Sequence, residues 1–310
     1  MSDQNNHINE TMPWRHPKSV KEDPHAEELV KKLVESDSYK IALEDMGFMN
    51  SYEARGIRLE LDYLKAELVM HRLGIEHTIG VFGSSRAVEY KTAKKKLNQL
   101  QKELDKNPSS QEVRSKMNTA QRMLEKSVYY DDARKFGSLV GSSGKGADDC
   151  RVTIMTGGGP GIMEAANRGA FDVGAKSIGL NINLPHEQFP NPYITPELCF
   201  QFHYFAIRKL HFLNRAKALV VYPGGFGTFD ELFEILTLVQ TEKSIAIPIV
   251  LVSKYFWNRA VNLEFLREEG VISYSDIDIF HIVDNAEEAW EYITKWYEEK
   301  GEPLFNHKKE

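Results

Sequence analysis

The sequence has few cysteines, no long apolar run and no strongly basic segment. Its two cysteines, Cys150 and Cys199, lack a CxxC partner or a histidine at metal-ligand spacing, so the pattern favours a reducing compartment and predicts no metal site. No window approaches the ~20 apolar residues of a membrane span, and residues 1–14 lack the apolar centre of a signal peptide. We therefore expect a cytoplasmic protein without a membrane partner.

The charge balance argues against a nucleic-acid partner. Lysine and arginine number 39 against 45 aspartates and glutamates, which gives a net charge of −6. A nucleic-acid-binding protein normally carries clustered cations on a positive background, whereas the local run at residues 91–96 is typical of the solvated face of a helix. An apolar fraction of 42% with 27% charged residues is ordinary for a globular protein with a full core.

Composition shifts along the chain predict its organisation. Residues 1–24 are polar and proline-containing, which indicates a flexible arm, and residues 25–77 carry apolar residues at helical spacing, which indicates a helical extension. Residues 78–300 are predicted to form the main domain, and 301–310 a tail. Inside that domain, residues 88–126 are rich in Lys, Gln and Glu and indicate a helical insertion, a hairpin that turns at Pro108.

Strand and helix patterns alternate through the predicted domain. Short apolar runs predict strands, and amphipathic segments predict the helices between them. The last four predicted helices are 202–215, 228–240, 256–268 and 285–298. Such alternation is typical of an α/β fold, a doubly wound Rossmann-like parallel sheet with helices on both faces. Ligands in these folds bind at the carboxyl ends of the strands. The predicted strands are 78–82, 152–156, 176–182, 218–222, 247–252 and 280–283.

Two glycine loops follow predicted strands and precede predicted helices, at 157–161 and 223–228. Glycine lets the backbone approach a ligand closely, and the unpaired N–H groups of a helix start favour a phosphate. The alternative is that the glycines only make tight turns. Asp230 and Glu231 lie in the first helical turn after the second loop, where carboxylates either complement the helix dipole or face a ligand.

Several familiar nucleotide and hydrolase motifs are absent. The first glycine loop has Ile162 where a dinucleotide fingerprint needs Gly or Ala, and no acidic residue follows the next strand. The stretch 141–146 has the wrong spacing for a P-loop. His186-Glu187 lacks the second histidine of a zinc protease, and no Gly-x-Ser-x-Gly elbow is present.

The motifs that are present resemble those of the LONELY GUY (LOG) family, over about residues 78–298. They are the segment 156–167 (TGGGPGIMEAAN), the pair Arg208-Lys209, and the segment 223–231 (PGGFGTFDE). LOG proteins are cytokinin riboside 5'-monophosphate phosphoribohydrolases, often mislabelled as lysine decarboxylases. The resemblance implies hydrolysis of the N-glycosidic bond of a nucleoside 5'-monophosphate such as AMP, no cofactor or metal, and a homo-oligomer. The helical extension and the insertion depart from the short family members.

Two residues are predicted to be catalytic. Cleavage of an N-glycosidic bond passes through a positively charged, oxocarbenium-like ribose, which a fixed carboxylate stabilises while it orients water; we assign this role to Glu231, with a dipole-complementing surface carboxylate as the alternative. The Arg208 guanidinium is predicted either to clamp the phosphate or to hold Glu231 in place, because its parallel N–H groups suit both tasks.

A wider set is predicted to bind substrate. Glu187 either contacts the base or caps its loop, Lys209 is a weaker phosphate partner or a solvated side chain, and Thr237 follows from the family pattern. The remaining candidates are loop residues and the acidic neighbour of Glu231: Gly83, Ser84, Gly158, Gly159, Gly161, Gly224, Gly225, Phe226, Gly227, Thr228 and Asp230. The rival function is a non-catalytic carrier of a phosphorylated cofactor, similar to molybdenum-cofactor carriers, which needs no carboxylate at C1' of a ribose.

Overall fold

A computed structural model describes residues 18, 20–144, 152–185, 189–301 and 304. They fall into two compact units, of which the first ends at Leu61 and the second begins at Asp62. Among these residues no helix has the length and apolar character that crossing a membrane requires. The domain limits predicted from the sequence stay predictions, and most of the arm and of the tail lies outside the described residues.

The first unit is helical, as its sequence pattern predicts. It contains α1 (Ala26–Val34), α2 (Met46–Met49) and the start of α3 (Arg55–Arg72). The Asp45 carboxylate caps α2 by accepting the Phe48 N–H at 3.0 Å, a standard way to satisfy a free amide at a helix start.

The second unit is built on a seven-stranded parallel sheet, which confirms the predicted doubly wound α/β fold. The strand order is β4-β3-β2-β1-β5-β6-β7, and each neighbouring pair runs parallel. The strands are β1 (His77–Phe82), β2 (Val152–Thr156), β3 (Ser177–Ile182), β4 (Cys199–Phe202), β5 (Ala216–Val221), β6 (Ile249–Val252) and β7 (Phe280–Val283).

The helices of this unit include the predicted insertion, whose two helices meet in a turn at Pro108 as expected. The α-helices after β1 are α4 (Tyr90–Lys106), α5 (Gln111–Glu125), α6 (Ser127–Ser142), α7 (Ile162–Asp172), α8 (Phe205–Asn214), α9 (Phe226–Gln240), α10 (Lys254–Ala260), α11 (Leu263–Glu268) and α12 (Ala286–Glu299). The insertion consists of α4 and α5. The buried side chains of this hairpin are Ala93, Leu100 and Ala120.

The structure corrects two predictions. Phe202 does not begin a helix; it ends β4, which pairs with β3 at the edge of the sheet. Its apolar neighbours are too few to distinguish a four-residue strand from a helix start by periodicity alone. The helix predicted over 256–268 is two helices, because the chain is extended at Val261 and Asn262 caps the second one by accepting the Phe265 N–H.

Successive side chains of each strand point to opposite faces of the sheet, and helices cover both faces. Ile79 and Val81 of β1 belong to a core formed with α6, α7 and α12. Phe82, at the end of the same strand, belongs to a second core that includes Phe212 of α8 and Leu232 of α9. The second core therefore fixes α8 and α9 against the sheet on the side that carries Arg208 and Glu231.

The strand order reverses between β1 and β5. From β1 the chain builds β2, β3 and β4 on one side, then returns to place β5 on the other side of β1. In open α/β sheets such a reversal leaves a crevice outside the carboxyl ends of the two strands, and ligands bind there.

We predict that Gly169→Ala destabilises the protein. Gly169 lies where α7 crosses α6, and a Cβ there would overlap the backbone carbonyl of Arg134. Overpacking of this kind costs about 1–3 kcal/mol. Urea unfolding followed by circular dichroism measures the loss.

The control is Gly56→Ala in α3, where a Cβ meets nothing within 4 Å. Gly56 lies in the first turn of α3, and alanine has a higher helix propensity than glycine, so this variant is expected to unfold at equal or higher urea. Equal stability of Gly169→Ala and the unchanged protein would contradict the tight helix crossing.

Candidate active site

A cavity of about 750 Å³ opens at the carboxyl ends of β1 and β5. Its volume lies within the roughly 300–1,000 Å³ typical of small-molecule sites. The walls come from the loops after β1 and β5, the starts of α6, α7, α9 and α10, the middle of α8 and the end of α5. Most of the predicted site residues therefore lie around the crevice at the reversal of the strand order.

Backbone hydrogen bonds beyond the regular strands hold the two loops together. The Tyr222 N–H donates to the Phe82 carbonyl at 2.8 Å, and the Ser84 N–H donates to the Pro223 carbonyl at 3.0 Å. These bonds continue the β1–β5 pairing past the strand ends. As a result Gly83 and Ser84 lie beside the second glycine loop rather than apart from it.

Arg208 and Glu231 meet at the wall of this cavity. Arg208 Nη2 lies 3.5 Å from Glu231 Oε1, and their side chains are only 14% and 6% exposed. Arg208 comes from α8 and Glu231 from the second turn of α9, so the second core brings them together. The predicted convergence of a guanidinium and a carboxylate is thus present in the fold.

Burial sets the electrostatics of the pair. Desolvation raises the pKa of Glu231 to about 7, although the positive charge of Arg208 acts in the opposite direction. Burial also lowers the pKa of Arg208. The guanidinium lies over the rings of Phe205 and Phe212, at 4.9 and 5.8 Å from their centroids. Glu231 can therefore exchange a proton near neutral pH while Arg208 stays positively charged.

The second glycine loop leaves the start of α9 open to an anion. Gly225 is the N-cap residue, and within the described parts of the chain no side chain caps the first amides of the helix. The Thr228 hydroxyl lies in the same turn, and that residue is buried on the cavity wall. Free amides at a helix start combine hydrogen-bond donors with the positive end of the helix dipole, which suits a phosphate.

Nine of the predicted residues line the cavity: Gly83, Ser84, Arg208, Gly224, Gly225, Phe226, Gly227, Thr228 and Glu231. Six described ones do not: Gly158, Gly159, Gly161, Lys209, Asp230 and Thr237. Glu187 lies outside the described residues, so its role as a base contact stays a prediction.

Lys209 and Asp230 are placed away from the cavity by their mutual contact. Lys209 Nζ lies 2.9 Å from Asp230 Oδ2 and 2.8 Å from Glu234 Oε2. The three side chains tie α8 to α9 on the side that the cavity does not reach, because adjacent helical residues point about 100° apart. Thr237 is exposed, and its hydroxyl donates to the Phe233 carbonyl within the helix.

The first glycine loop supports the site instead of lining it, apart from Gly157. The Ile162 N–H donates to the Ser84 carbonyl at 3.1 Å. Gly161 has φ of +77°, and a Cβ there would overlap the Ser84 carbonyl, so only glycine allows this approach. Asn191 donates from its side chain to the Gly159 carbonyl at 3.1 Å. This loop therefore corresponds to the tight-turn alternative.

Sequence reasoning missed three cations on the cavity wall, Arg86, Arg122 and Lys126. Arg86 follows the β1 loop, and the other two come from the insertion. Arg122 and Lys126 share a helical spacing with Thr119 and Met123 that is visible in the sequence. Positions 119, 122, 123 and 126 follow the i, i+3, i+4, i+7 spacing of one helical face, but that spacing does not say what the face meets.

Sequence comparison finds related proteins for the part of the chain that carries the pair. A family model described as "Possible lysine decarboxylase" matches residues 163–293. A relative from Oryza sativa subsp. japonica, named "Probable cytokinin riboside 5'-monophosphate phosphoribohydrolase LOG4", is 27% identical over 164 residues, which is 52% of this chain and 70% of the relative. A second one, LOGL3, is 24% identical over 157 residues, 47% of this chain and 69% of the relative.

Solved structures with similar topology include a molybdenum-cofactor carrier protein from Chlamydomonas reinhardtii, 16% identical with a TM-score of 0.42, covering 72% of this chain and 99% of that one. A molybdenum cofactor binding protein from Rippkaea orientalis is 14% identical with a TM-score of 0.41, covering 71% and 97%. The family model and the two named relatives confirm the resemblance that the motifs predict: this chain is similar in sequence to the LOG family of cytokinin riboside 5'-monophosphate phosphoribohydrolases.

Proposed function

We propose that this protein hydrolyses the N-glycosidic bond of a nucleoside 5'-monophosphate and releases the free base and ribose 5-phosphate. The observation that carries the proposal is the buried Arg208–Glu231 pair on the wall of a cavity at the β1–β5 reversal. A buried carboxylate is costly to maintain. Its retention beside an open cavity favours a chemical role over a purely structural one.

The phosphate and the ribose occupy different parts of the cavity in this proposal. The free amides at the start of α9 bind the 5'-phosphate with the Thr228 hydroxyl. Glu231 lies one turn further along the same helix, where it faces the ribose. One rigid helix thus sets the spacing between the phosphate and the carboxylate, which orients the substrate before any bond breaks.

Bond cleavage places positive charge on the ribose. The C1'–N bond breaks and its electron pair leaves with the base; water forms the new C1'–O bond and releases one proton, which balances the proton that the base takes up. The Glu231 carboxylate stabilises the cationic ribose and orients the water that attacks C1'. Arg208, which contacts Glu231 Oε1, fixes the carboxylate in position.

The activities named for the relatives support the same reaction class. Both rice proteins are named as probable cytokinin riboside 5'-monophosphate phosphoribohydrolases, a name that specifies a nucleoside 5'-monophosphate as the substrate. We extend that class to this chain with AMP as the first substrate to test and a cytokinin riboside monophosphate as the second. The family resemblance also implies a homo-oligomer, which stays a prediction, as does the cytoplasmic location expected from the sequence composition.

We predict that Glu231→Gln lowers kcat for adenine release from AMP by about 10²–10³-fold, the usual loss when one group that stabilises transition-state charge is removed. The amide keeps the shape of the side chain and removes its charge. Chromatography of adenine and ribose 5-phosphate measures the rate.

The matched control is Glu234→Gln, which removes a carboxylate from the next turn of α9, where it contacts Lys209 and does not line the cavity. Its rate is expected to stay within about threefold of the unchanged protein, as for a partly exposed ion pair. AMP that binds without any base release in the unchanged protein would exclude the hydrolase and favour a carrier.

We also predict that kcat/KM rises with pH around neutrality. The proposed role needs the ionised carboxylate, and burial raises the pKa of Glu231 to about 7. The ionised fraction therefore increases from pH 6 to pH 8, and kcat/KM, which reports groups of the free enzyme, is expected to increase with it. A rate that falls over this range would instead assign Glu231 the role of a proton donor.

A further inference from the structure

The charge of the cavity differs from that of the whole protein. Among the residues that the structure describes, four cations line it, Arg86, Arg122, Lys126 and Arg208, and one carboxylate, Glu231. The chain as a whole has a net charge of −6. Excess positive charge in a concave site of an acidic protein attracts an anionic ligand and excludes cationic ones.

Three of these cations are not neutralised by the protein. Arg208 has Glu231 as its partner, whereas Arg86, Arg122 and Lys126 form no ion pair within the described parts of the chain. Elsewhere on the same insertion helix, Lys116 pairs with Glu112 at 2.6 Å. The cations at the cavity end of the insertion thus differ from Lys116, because no described carboxylate forms an ion pair with them.

Charge matching indicates how many phosphoryl groups the cavity accommodates. One phosphoryl group carries roughly −1.5 to −2 charges at pH 7, which leaves part of the charge of three unpaired cations uncompensated. Two phosphoryl groups carry about −3 to −4 on the same scale. The summed charge of the three unpaired cations is therefore closer to that of two phosphoryl groups than to that of one.

We propose that Arg86, Arg122 and Lys126 form a subsite for a second phosphoryl group, so that the cavity binds nucleoside diphosphates more tightly than monophosphates. This inference rests on the proposed nucleotide site, in which the start of α9 binds the first phosphoryl group. The insertion supplies two of the three cations, and it departs from the short members of the resembled family. It therefore acts as a specificity element for the phosphate end of the ligand.

Calorimetric titration of the full chain with ADP and with AMP tests the subsite, in the Glu231→Gln background so that turnover does not interfere. Both ligands share the same nucleoside, so the ratio of their affinities isolates the second phosphoryl group. We expect ADP to bind about tenfold more tightly than AMP, which corresponds to ~1.4 kcal/mol. Charge-assisted contacts to a phosphoryl group have this magnitude.

Adding Arg122→Gln and Lys126→Gln is expected to bring the ADP-to-AMP affinity ratio close to one. The control adds Arg114→Gln and Lys116→Gln on the same helix; these residues do not line the cavity, and the ratio should persist. Equal affinities in the Glu231→Gln protein, or a preference that survives the Arg122 and Lys126 changes, would overturn the subsite. Base release is assayed separately, so a protein without hydrolase activity that still prefers ADP would exclude the proposed function alone.

Discussion

The parallel pairing of β1 (His77–Phe82) with β5 (Ala216–Val221) is the constraint on which the site depends. It joins two strands that lie far apart in the chain, and its hydrogen bonds continue past the strand ends to Ser84 and Pro223. The pairing turns two separate loops into one surface. Because the strand order reverses here, a crevice remains outside the carboxyl ends of these strands.

Packing on one face of the sheet then determines the chemistry. The core that contains Phe212 and Leu232 holds α8 and α9 side by side, which brings Arg208 against Glu231. Burial makes the carboxylate a weaker acid, and the guanidinium makes its burial tolerable. The contacts of Lys209 with Asp230 and Glu234 strengthen the same helix pair from the outside. The motif therefore divides its charged residues between the cavity wall and the contact between the two helices.

The two glycine loops look alike in sequence and differ in role. The loop after β5 leaves helix amides free at the cavity. The loop after β2 is occupied by the protein itself, because the Ser84 carbonyl accepts the Ile162 N–H and Asn191 donates to the Gly159 carbonyl. Its conformation supports the β1 loop from behind. Glycine is required for close backbone packing at Gly161 in the loop after β2, whereas a Cβ at Gly225 or Gly227 in the loop after β5 would meet open space.

The sequence by itself determined the alternation of strands and helices, the hairpin turning at Pro108, and the two glycine loops, since these depend on local periodicity and turn chemistry. It also indicated Arg208 and Glu231, through motifs whose residues share one helix or one loop. The four-residue strand Cys199–Phe202 was missed because so short an apolar run has no distinctive period.

Only the tertiary structure decided which polar residues face the cavity. Lys209 and Asp230 stand beside the two central residues in the chain, yet they point elsewhere, because one helical step rotates a side chain by about 100°. Arg122 and Lys126 lie in an insertion that looks like an ordinary solvated helix, and the fold places them on the cavity wall. Local sequence specifies which face of a helix a residue occupies; the packing of distant segments specifies what that face meets.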